Sequence, residues 1–239
     1  MRVMLRRERR RRNIMEFQGH SLPLPHNALV ERNDLLNHTA RYCEYHILVT
    51  RDRYLANGVR HSPVPLCLCR IFDDIDEALD VVRLTHPLGL IIDLEGQSLA
   101  VLTLLDRLRL LQQKSPALDI VLITPEVDPG AQQFLQLACH CRVLNKRLAL
   151  LQVRDALHLQ SQEQPLLQPR LFKAKEWSVL MLMSKGYILC HIARLQVRPY
   201  HRIIYRVGCV LALLRLNHRH QLLRLLQRVG AIRDTHHSG

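Results

Sequence analysis

Short apolar runs alternate with amphipathic segments through the first two thirds of the chain, from residue 45 to residue 160. The apolar runs are rich in Ile, Leu and Val, which favours strands buried on both faces of a sheet. The intervening segments have leucines at helical spacing or acidic residues in a first turn, which favours helices. This alternation predicts an α/β domain with a doubly wound, parallel, five-stranded sheet. The predicted strands are 45–50, 64–72, 88–93, 119–124 and 141–146, and the predicted helices are 54–61, 73–83, 98–114, 129–139 and 148–160.

The pattern changes after residue 170, where the apolar positions follow only helical spacing. Trp177, Leu180 and Met181 lie at i, i+3 and i+4, and Gly186 supplies a residue that tolerates positive φ at the end of this first helix. Pro199 suits the first turn of a later helix. The pattern predicts an all-α domain of four short helices at 175–184, 188–195, 200–214 and 220–229.

A polar segment with two prolines separates the two patterns and predicts a semi-rigid linker. We therefore expect two domains, each large enough to bury its own core. The expected divisions are a basic, mostly irregular extension at 1–44, the α/β domain at 45–160, the linker at 161–170, the helical domain at 171–229 and a tail at 230–239.

Charge is segregated along the chain, whose formal net charge is +13. Residues 170–239 contain thirteen Lys and Arg residues against two acids, whereas residues 15–169 contain fourteen bases and eighteen acids. A compact helical unit with this excess of positive charge is typical of a nucleic-acid binder. The arginine run at 6–12 has three interpretations: an arm that touches phosphates, a solvated tail without a role, or an untranslated segment that precedes a second start at Met15. We favour the last two.

Several classes of protein are disfavoured by composition. No apolar run approaches the ~20 residues of a membrane span, and the start lacks the apolar core of a secretory signal, so we expect a cytoplasmic protein with no membrane partner. Seven cysteines without an export signal are expected to be reduced. The pairs Cys67/Cys69 and Cys139/Cys141 are spaced more tightly than zinc ligands usually are, so we expect buried thiols and neither metal nor cofactor. An enzyme that uses these Cys and His residues remains an alternative, which would require stoichiometric zinc.

Polar residues follow four of the predicted strands at their carboxyl ends, where ligand chemistry collects in such a sheet. These residues are Thr50, Arg51, Asp52, Asp93, Thr124 and Lys146. The set resembles the response-regulator receiver family, in which the third strand ends in an Asp that accepts a phosphoryl group, the fourth in Thr or Ser, and the fifth in Lys. The resemblance places Asp93 at the acceptor position and Thr124 and Lys146 at the two switch positions, and it implies a receiver-like fold.

One half of the receiver motif is missing. Family members end the first strand with two acids that hold Mg²⁺, but those positions are Thr50 and Arg51 here, with Asp52 one place late. Phosphoryl transfer to a carboxylate brings negative charges together, which a hard divalent cation offsets. We therefore expect a receiver-like domain that is not phosphorylated, with Arg51 placed to pair with Asp93 directly. Conventional phosphorylation of Asp93 stays open as the alternative.

The helical pattern resembles the LuxR-type DNA-binding family over about residues 172–226. The resemblance rests on an ungapped segment that includes Lys185, Gly186, Ile192, Ala193 and Arg198. His191 replaces the family's Glu before Ile-Ala, and Arg215 replaces the Gly after the third helix. The resemblance implies a helix-turn-helix whose third helix enters the major groove. The two domains together are similar to auxiliary enterobacterial regulators of capsule and other surface-structure genes and of sugar-utilisation genes, which work alongside a conventional partner.

The LuxR resemblance and the geometry of a recognition helix predict which side chains contact DNA, because arginine offers a bidentate fork to guanine and neighbouring cations grip phosphates. The predicted contacts are Lys185, Arg194, Arg198, His201, Arg202, Tyr205 and Arg206, with Lys185 and Arg194 on phosphates. The expected partners are double-stranded DNA and a second chain, in a homodimer or a heterodimer with another LuxR-type regulator. Leu211, Leu213 and the leucines of 222–226 are candidates for that interface. The alternative function is a protein-interaction adaptor with a receiver-like fold that no longer binds DNA specifically.

Overall fold

The computed structural model describes residues 45–61, 69–125, 128–148 and 170–232. Five parallel strands in these ranges form one sheet in the order β2-β1-β3-β4-β5. This is the flavodoxin-like doubly wound order, with its switch point between β1 and β3, and it confirms the predicted receiver-like fold. The strands are β1 (His46–Val49), β2 (Cys69–Phe72), β3 (Gly89–Asp93), β4 (Asp119–Thr124) and β5 (Arg142–Asn145).

Three of the four described helices that alternate with these strands begin at aspartate caps. Asp52 accepts hydrogen bonds from the backbone N–H groups of Tyr54 and Leu55, and Asp74 and Asp128 cap two further helices in the same way. The helices are α1 (Arg53–Arg60), α2 (Ile75–Thr85), α3 (Val101–Lys114) and α4 (Pro129–Ala138), and a 3₁₀ turn (Lys146–Leu148) follows β5. The predicted helix at 148–160 lies almost wholly outside the described residues, as do the first part of the second predicted strand and Cys67.

The central strands of the sheet are buried on both faces, as their unbroken apolar runs predict. Alternate residues face opposite sides. Ile47, Leu90 and Ile120 belong to the larger apolar cluster, whereas Leu48 and Ile91 belong to a smaller one that includes side chains of α1. The edge strands β2 and β5 are only half-buried.

The helical part of the structure contains the predicted helices, with each observed end within two residues of its predicted position. They are α5 (Ala174–Ser184), α6 (Leu189–Leu195), α7 (Tyr200–Leu213) and α8 (Arg219–Ala231). Gly186 has φ +85° after α5, which confirms its predicted role at that helix end. Arg215, which replaces the family's glycine, keeps the left-handed conformation at φ +55°. No helix among the described residues is long and apolar enough to cross a membrane.

The α/β part and the helical part share one apolar core. The described residues all belong to a single compact unit, in which α8 packs against α3, α4 and α5. Three aromatic rings lie at the junction: Phe172 is 5.5 Å from Phe134 and 6.4 Å from Trp177 between ring centroids. The sequence predicted two domains joined by a linker. That linker lies outside the described residues except for Arg170, but the two parts it joins are packed against each other.

Candidate nucleic-acid interface

The carboxyl end of the sheet holds a buried carboxylate with its hydrogen bonds satisfied. Asp93 is 0% exposed, and its Oδ2 accepts the Thr50 hydroxyl at 2.9 Å and lies 3.0 Å from Lys146 Nζ. Its Oδ1 accepts the backbone N–H of Glu95 at 3.2 Å. Burial raises the pKa of Asp93, and the positive charge of Lys146 and the two hydrogen-bonding side chains oppose that rise only in part.

Lys146 gathers three carboxylates at this end of the sheet. Its Nζ lies 2.6 Å from Glu95 Oε2, 3.0 Å from Asp93 Oδ2 and 3.2 Å from Asp52 Oδ2. Burial acts to lower the pKa of Lys146, but the hydrogen bond to Glu95 and the attraction of Asp93 raise it overall. Burial acts to raise the pKa of Asp52, but hydrogen bonds from Leu55 N–H and Lys146 lower it overall. The ammonium therefore stays charged and holds the three acids together.

The predicted pairing of Arg51 with Asp93 is wrong. Arg51 is exposed, and its Nε donates to the carbonyl oxygen of Asp73 at 3.2 Å. Lys146 occupies the place beside Asp93 instead, because the turn after β5 projects its side chain over the carboxyl end of β3. Thr124 is buried as a switch position would be, but its hydroxyl donates to the Leu144 carbonyl at 3.4 Å rather than to the Asp93 cluster.

The residues of this pocket do not fit the Mg²⁺ that the receiver family uses. Asp52 Oδ1 accepts two backbone N–H groups and its Oδ2 pairs with Lys146, while the Asp93 oxygens are taken by Thr50, Lys146 and Glu95 N–H. Mg²⁺ requires several oxygen ligands in near-octahedral geometry. The chain's own ammonium supplies the positive charge that the cation would bring.

The helix-turn-helix is formed by α5, α6 and α7, which pack on one another. The turn between α6 and α7 is closed by the backbone hydrogen bond from Arg198 N–H to the Ala193 carbonyl at 2.9 Å. Val197 lies in this turn with φ +49°, a conformation that is uncommon for a β-branched residue. Arg206 of α7 donates to Gln196 Oε1 at 2.6 Å, and Gln196 Nε2 donates to the Ser178 hydroxyl at 3.0 Å. These bonds fix the three helices relative to one another.

Six of the seven predicted DNA contacts lie exposed on this unit, and their side chains form no ion pair with an acid within the described ranges. Arg206 differs, since it is half-buried and bonded to Gln196. The sequence placed it on the outer face, but its position on α7 turns it toward the end of α6. The six exposed residues are Lys185, Arg194, Arg198, His201, Arg202 and Tyr205.

Two described acids of the α/β part pair with helices other than α7. Asp128 pairs with Arg228 of α8 at 2.5 Å, and Asp106 accepts the indole N–H of Trp177 in α5 at 2.7 Å. The α/β part makes a hydrogen bond to the far end of α7, where Gln133 donates to the Leu213 carbonyl at 3.0 Å. Residues 170–232 contain a single acid, Glu176, whose carboxylate is buried and accepts the Lys173 N–H at the start of α5. The exposed surface of the helical part is therefore positive.

Exposed apolar side chains also lie on this surface, and the sequence pattern did not single them out. Tyr200 and Ile204 are 50% and 48% exposed, and Val197 is 86% exposed. Ile204 follows the core residue Ile203, so it is easily taken for part of the same buried stripe. The 100° step between neighbouring helical positions turns it outward.

The leucines predicted for a dimer interface are used inside this chain. Leu222, Leu225 and Leu226 are buried in the shared core, and Leu211 and Leu213 are half-buried against it. Leu222, Leu225 and Leu226 are therefore not available for contact with a second chain, because α8 packs them against α3, α4 and α5. An interface that uses the half-buried Leu211 and Leu213 of α7 stays a prediction.

Comparison with known proteins gives one full-length relative. No protein-family model matches the sequence. The fimbriae Y protein of Salmonella typhimurium is 32% identical over 245 residues, which cover 96% of this chain and 97% of that protein. RcsB from Salmonella enterica serovar Typhimurium, solved on promoter rprA, is 18% identical with a TM-score of 0.44 and covers 78% of this chain and 99% of its own. A two-component response regulator RcsB–DNA complex is 21% identical with a TM-score of 0.46, covering 77% and 98%.

Proposed function

This chain belongs to the family of the fimbriae Y protein, and we propose that it is a transcription regulator that binds double-stranded DNA through the first turns of α7. The observation that carries the proposal is the exposed cluster of Arg198, His201 and Arg202, which no acid of the described chain opposes. An amino-terminal recognition-helix surface of this kind fits the major groove.

The side chains divide into two roles on DNA. Arg198 and Arg202 present bidentate forks for guanine O6 and N7, with His201 and Tyr205 beside them. Phosphate contacts are assigned to the exposed Lys185 and Arg194 and fix the orientation of the protein on the duplex. Arg206 acts as a positioning residue, because its bond to Gln196 holds α7 against α6.

The α/β part works without phosphorylation in this proposal and serves as a fixed partner-binding or dimerisation unit. Lys146 satisfies the acids that would otherwise recruit Mg²⁺. The relative's name refers to fimbriae, which favours genes for surface structures as targets over sugar-utilisation genes. The proposed assembly is a homodimer or a pair with another LuxR-type regulator, since paired half-sites are usual for helix-turn-helix proteins.

Arg202→Ala is expected to weaken binding to preferred DNA sites by about 10- to 100-fold, since one bidentate guanine contact is worth roughly 1–3 kcal/mol. Binding is measured by fluorescence anisotropy on fragments enriched from genomic DNA, at several salt concentrations. The wild-type affinity should fall steeply as salt rises while the preference for certain sites remains.

Arg60→Ala is the matched control, because it removes an equal charge from the exposed end of α1. It should bind like the wild type. Equal occupancy of the same sites by wild type and Arg202→Ala would reject the assignment of α7. A complete lack of sequence preference in the wild type would favour the adaptor function instead.

Incubation with a small-molecule phosphodonor and Mg²⁺ is expected to leave Asp93 unmodified. The carboxylate is fully buried and Lys146 lies 3.0 Å from it, so neither the donor nor the cation gains access. Intact-protein mass spectrometry checks this, with Asp93→Asn as the control for phosphorylation elsewhere. The addition of one phosphoryl group to wild type but not to Asp93→Asn would refute the proposal of an unphosphorylated domain.

A further inference from the structure

One exposed stripe of α7 is apolar and lies beside exposed arginines. Tyr200, Ile204 and Gly208 lie at i, i+4 and i+8, on one side of the helix. Tyr200 and Ile204 are about half exposed, and Gly208 is exposed with no atom from outside its own stretch of helix within 4 Å of the place where its Cβ would lie. Neither an aliphatic side chain in water nor a glycine inside a helix is favoured by the stability of the chain alone.

The surroundings of this stripe indicate what covers it. Arg198 lies exposed in the turn before α7, and Arg202 lies exposed in the first turn of α7. No acid lies on the exposed surface of the described helical part. An apolar stripe next to guanidinium groups that form no ion pair within the described ranges is complementary to a groove with anionic edges and some apolar groups at its base. The major groove of DNA has this character, because phosphates line it and the 5-methyl group of thymine projects into it.

We propose that Ile204, next to Tyr200, packs against the 5-methyl groups of thymine in the major groove, and that Gly208 lets a base-pair edge approach the helix backbone. This inference rests on the proposed function and adds to it the chemistry of recognition. The arginines select guanine and the stripe selects thymine. The preferred DNA site therefore contains thymine among the base pairs that α7 contacts. Specificity then depends on a side chain that makes no hydrogen bond.

The test replaces thymine with uracil, which removes only the 5-methyl group. A preferred duplex is first obtained by selection from a random library with the full-length protein. Each thymine in that duplex is then replaced singly by deoxyuridine, and the affinity is measured at fixed salt. Wild type should lose about fourfold at one or two positions, the value expected for one buried methyl group, and nothing at the remaining positions.

Ile204→Ala links the effect to the residue. This variant should bind the thymine and uracil duplexes equally well, whereas Leu84→Ala, which truncates an 80% exposed leucine on α2, should keep the wild-type discrimination. Gly208→Ala provides a second readout. It should raise the thermal midpoint of unfolding, since alanine is the better helix former, and at the same time weaken DNA binding.

Three results would overturn the inference. If wild type binds every uracil duplex as tightly as the thymine duplex, it makes no contact with a thymine methyl group. If Ile204→Ala still distinguishes thymine from uracil, another residue makes that contact. A change in oligomeric state in Ile204→Ala, measured by sedimentation, would assign the stripe to contact between protein chains. Failure to select any preferred duplex would reject the proposed function itself, so the two failures are distinct.

Discussion

Phe134→Ala is expected to lower the free energy of unfolding by about 4 kcal/mol and to destabilise the α/β part and the helical part together. The Phe134 side chain is 0% exposed, and its ring centroid lies 5.5 Å from that of Phe172 and 6.3 Å from that of Trp177. Truncation removes the shared contact of two parts of the chain and leaves a cavity between them. The variant and the wild type should both unfold in a single transition.

Hydrogen bonds at this junction support that expectation. Arg109 of α3 donates to the Ala138 carbonyl and, at 2.7 Å, to the Phe172 carbonyl, while its guanidinium lies 5.0 Å from the centroid of the Trp177 ring. Burial lowers the pKa of Arg109. Breaking the junction would remove the hydrogen bond from Arg109 to Phe172 and the contact of the guanidinium with Trp177, and it would expose the apolar rings to water. Separation of the two parts is therefore unfavourable before either one unfolds.

The single tryptophan makes the measurement direct. Trp177 fluorescence reports the junction, and far-ultraviolet circular dichroism reports the secondary structure of the whole chain. Their urea transitions should coincide in both proteins, with a lower midpoint in Phe134→Ala. Leu110→Ala, at a 55% exposed position of α3, is the control and should change the stability by less than about 0.5 kcal/mol. A fluorescence transition that precedes the loss of circular dichroism would contradict the shared core.

Lys146→Met is expected to lower the free energy of unfolding by about 3 kcal/mol at neutral pH, because removing one partner of a buried ion pair leaves an uncompensated charge. Asp52, Asp93 and Glu95 would then face one another without a cation. The stability of the variant, measured by urea unfolding, should rise more than that of wild type as the pH falls from neutral.

The signs follow from the pKa shifts. In wild type the pKa of Asp52 is lowered by folding, so its contribution is present above the unfolded pKa and is lost as the pH falls through the folded pKa. Burial already raises the pKa of Asp93, and without Lys146 it rises further. Folding then favours the protonated acid, so the variant should gain stability as the pH falls from neutral through the raised folded pKa.

Two further variants make this result specific. Asp93→Asn in the Lys146→Met background should recover much of the lost stability, because it removes the buried charge. Arg147→Met, at the exposed neighbouring position, should behave like wild type. An equal loss in Arg147→Met and Lys146→Met would show that the clustered carboxylates are not the cause.

Local pattern predicted the elements of this fold well, and tertiary contacts decided the rest. The strand runs and the four carboxy-terminal helices follow from spacing, and Gly186 follows from backbone sterics. The contact between the two parts of the chain could not be predicted in this way. Phe134 and Phe172 are residues of the kind found in any domain core, and a sequence does not show which core a buried ring joins. The proline-containing segment between them predicted a domain boundary but not the contact of the two parts across it.

The candidate site shows the same division. The order of the strands correctly placed Lys146 near Asp93. The predicted pairing of Arg51 with Asp93 was wrong, because a residue's position at a strand end does not fix the direction of its side chain. Arg206 differs from prediction for a related reason, because it lies one helical step from the exposed Tyr205 and bonds to Gln196 at the end of α6. The exposure of Ile204, next to the buried Ile203, was not predicted at all.

A receiver-like pocket filled by the protein's own lysine has a consequence for how the protein is controlled. In the proposal of an unphosphorylated domain, this pocket receives no phosphoryl signal, and the shared core around Phe134 holds the helical part in place. Under that proposal, control passes to the number of molecules present. Since a change of about 1–2 kcal/mol in folding stability alters cellular abundance several-fold, synthesis and degradation become the regulatory inputs, and the packing around Phe134 helps to set the dose.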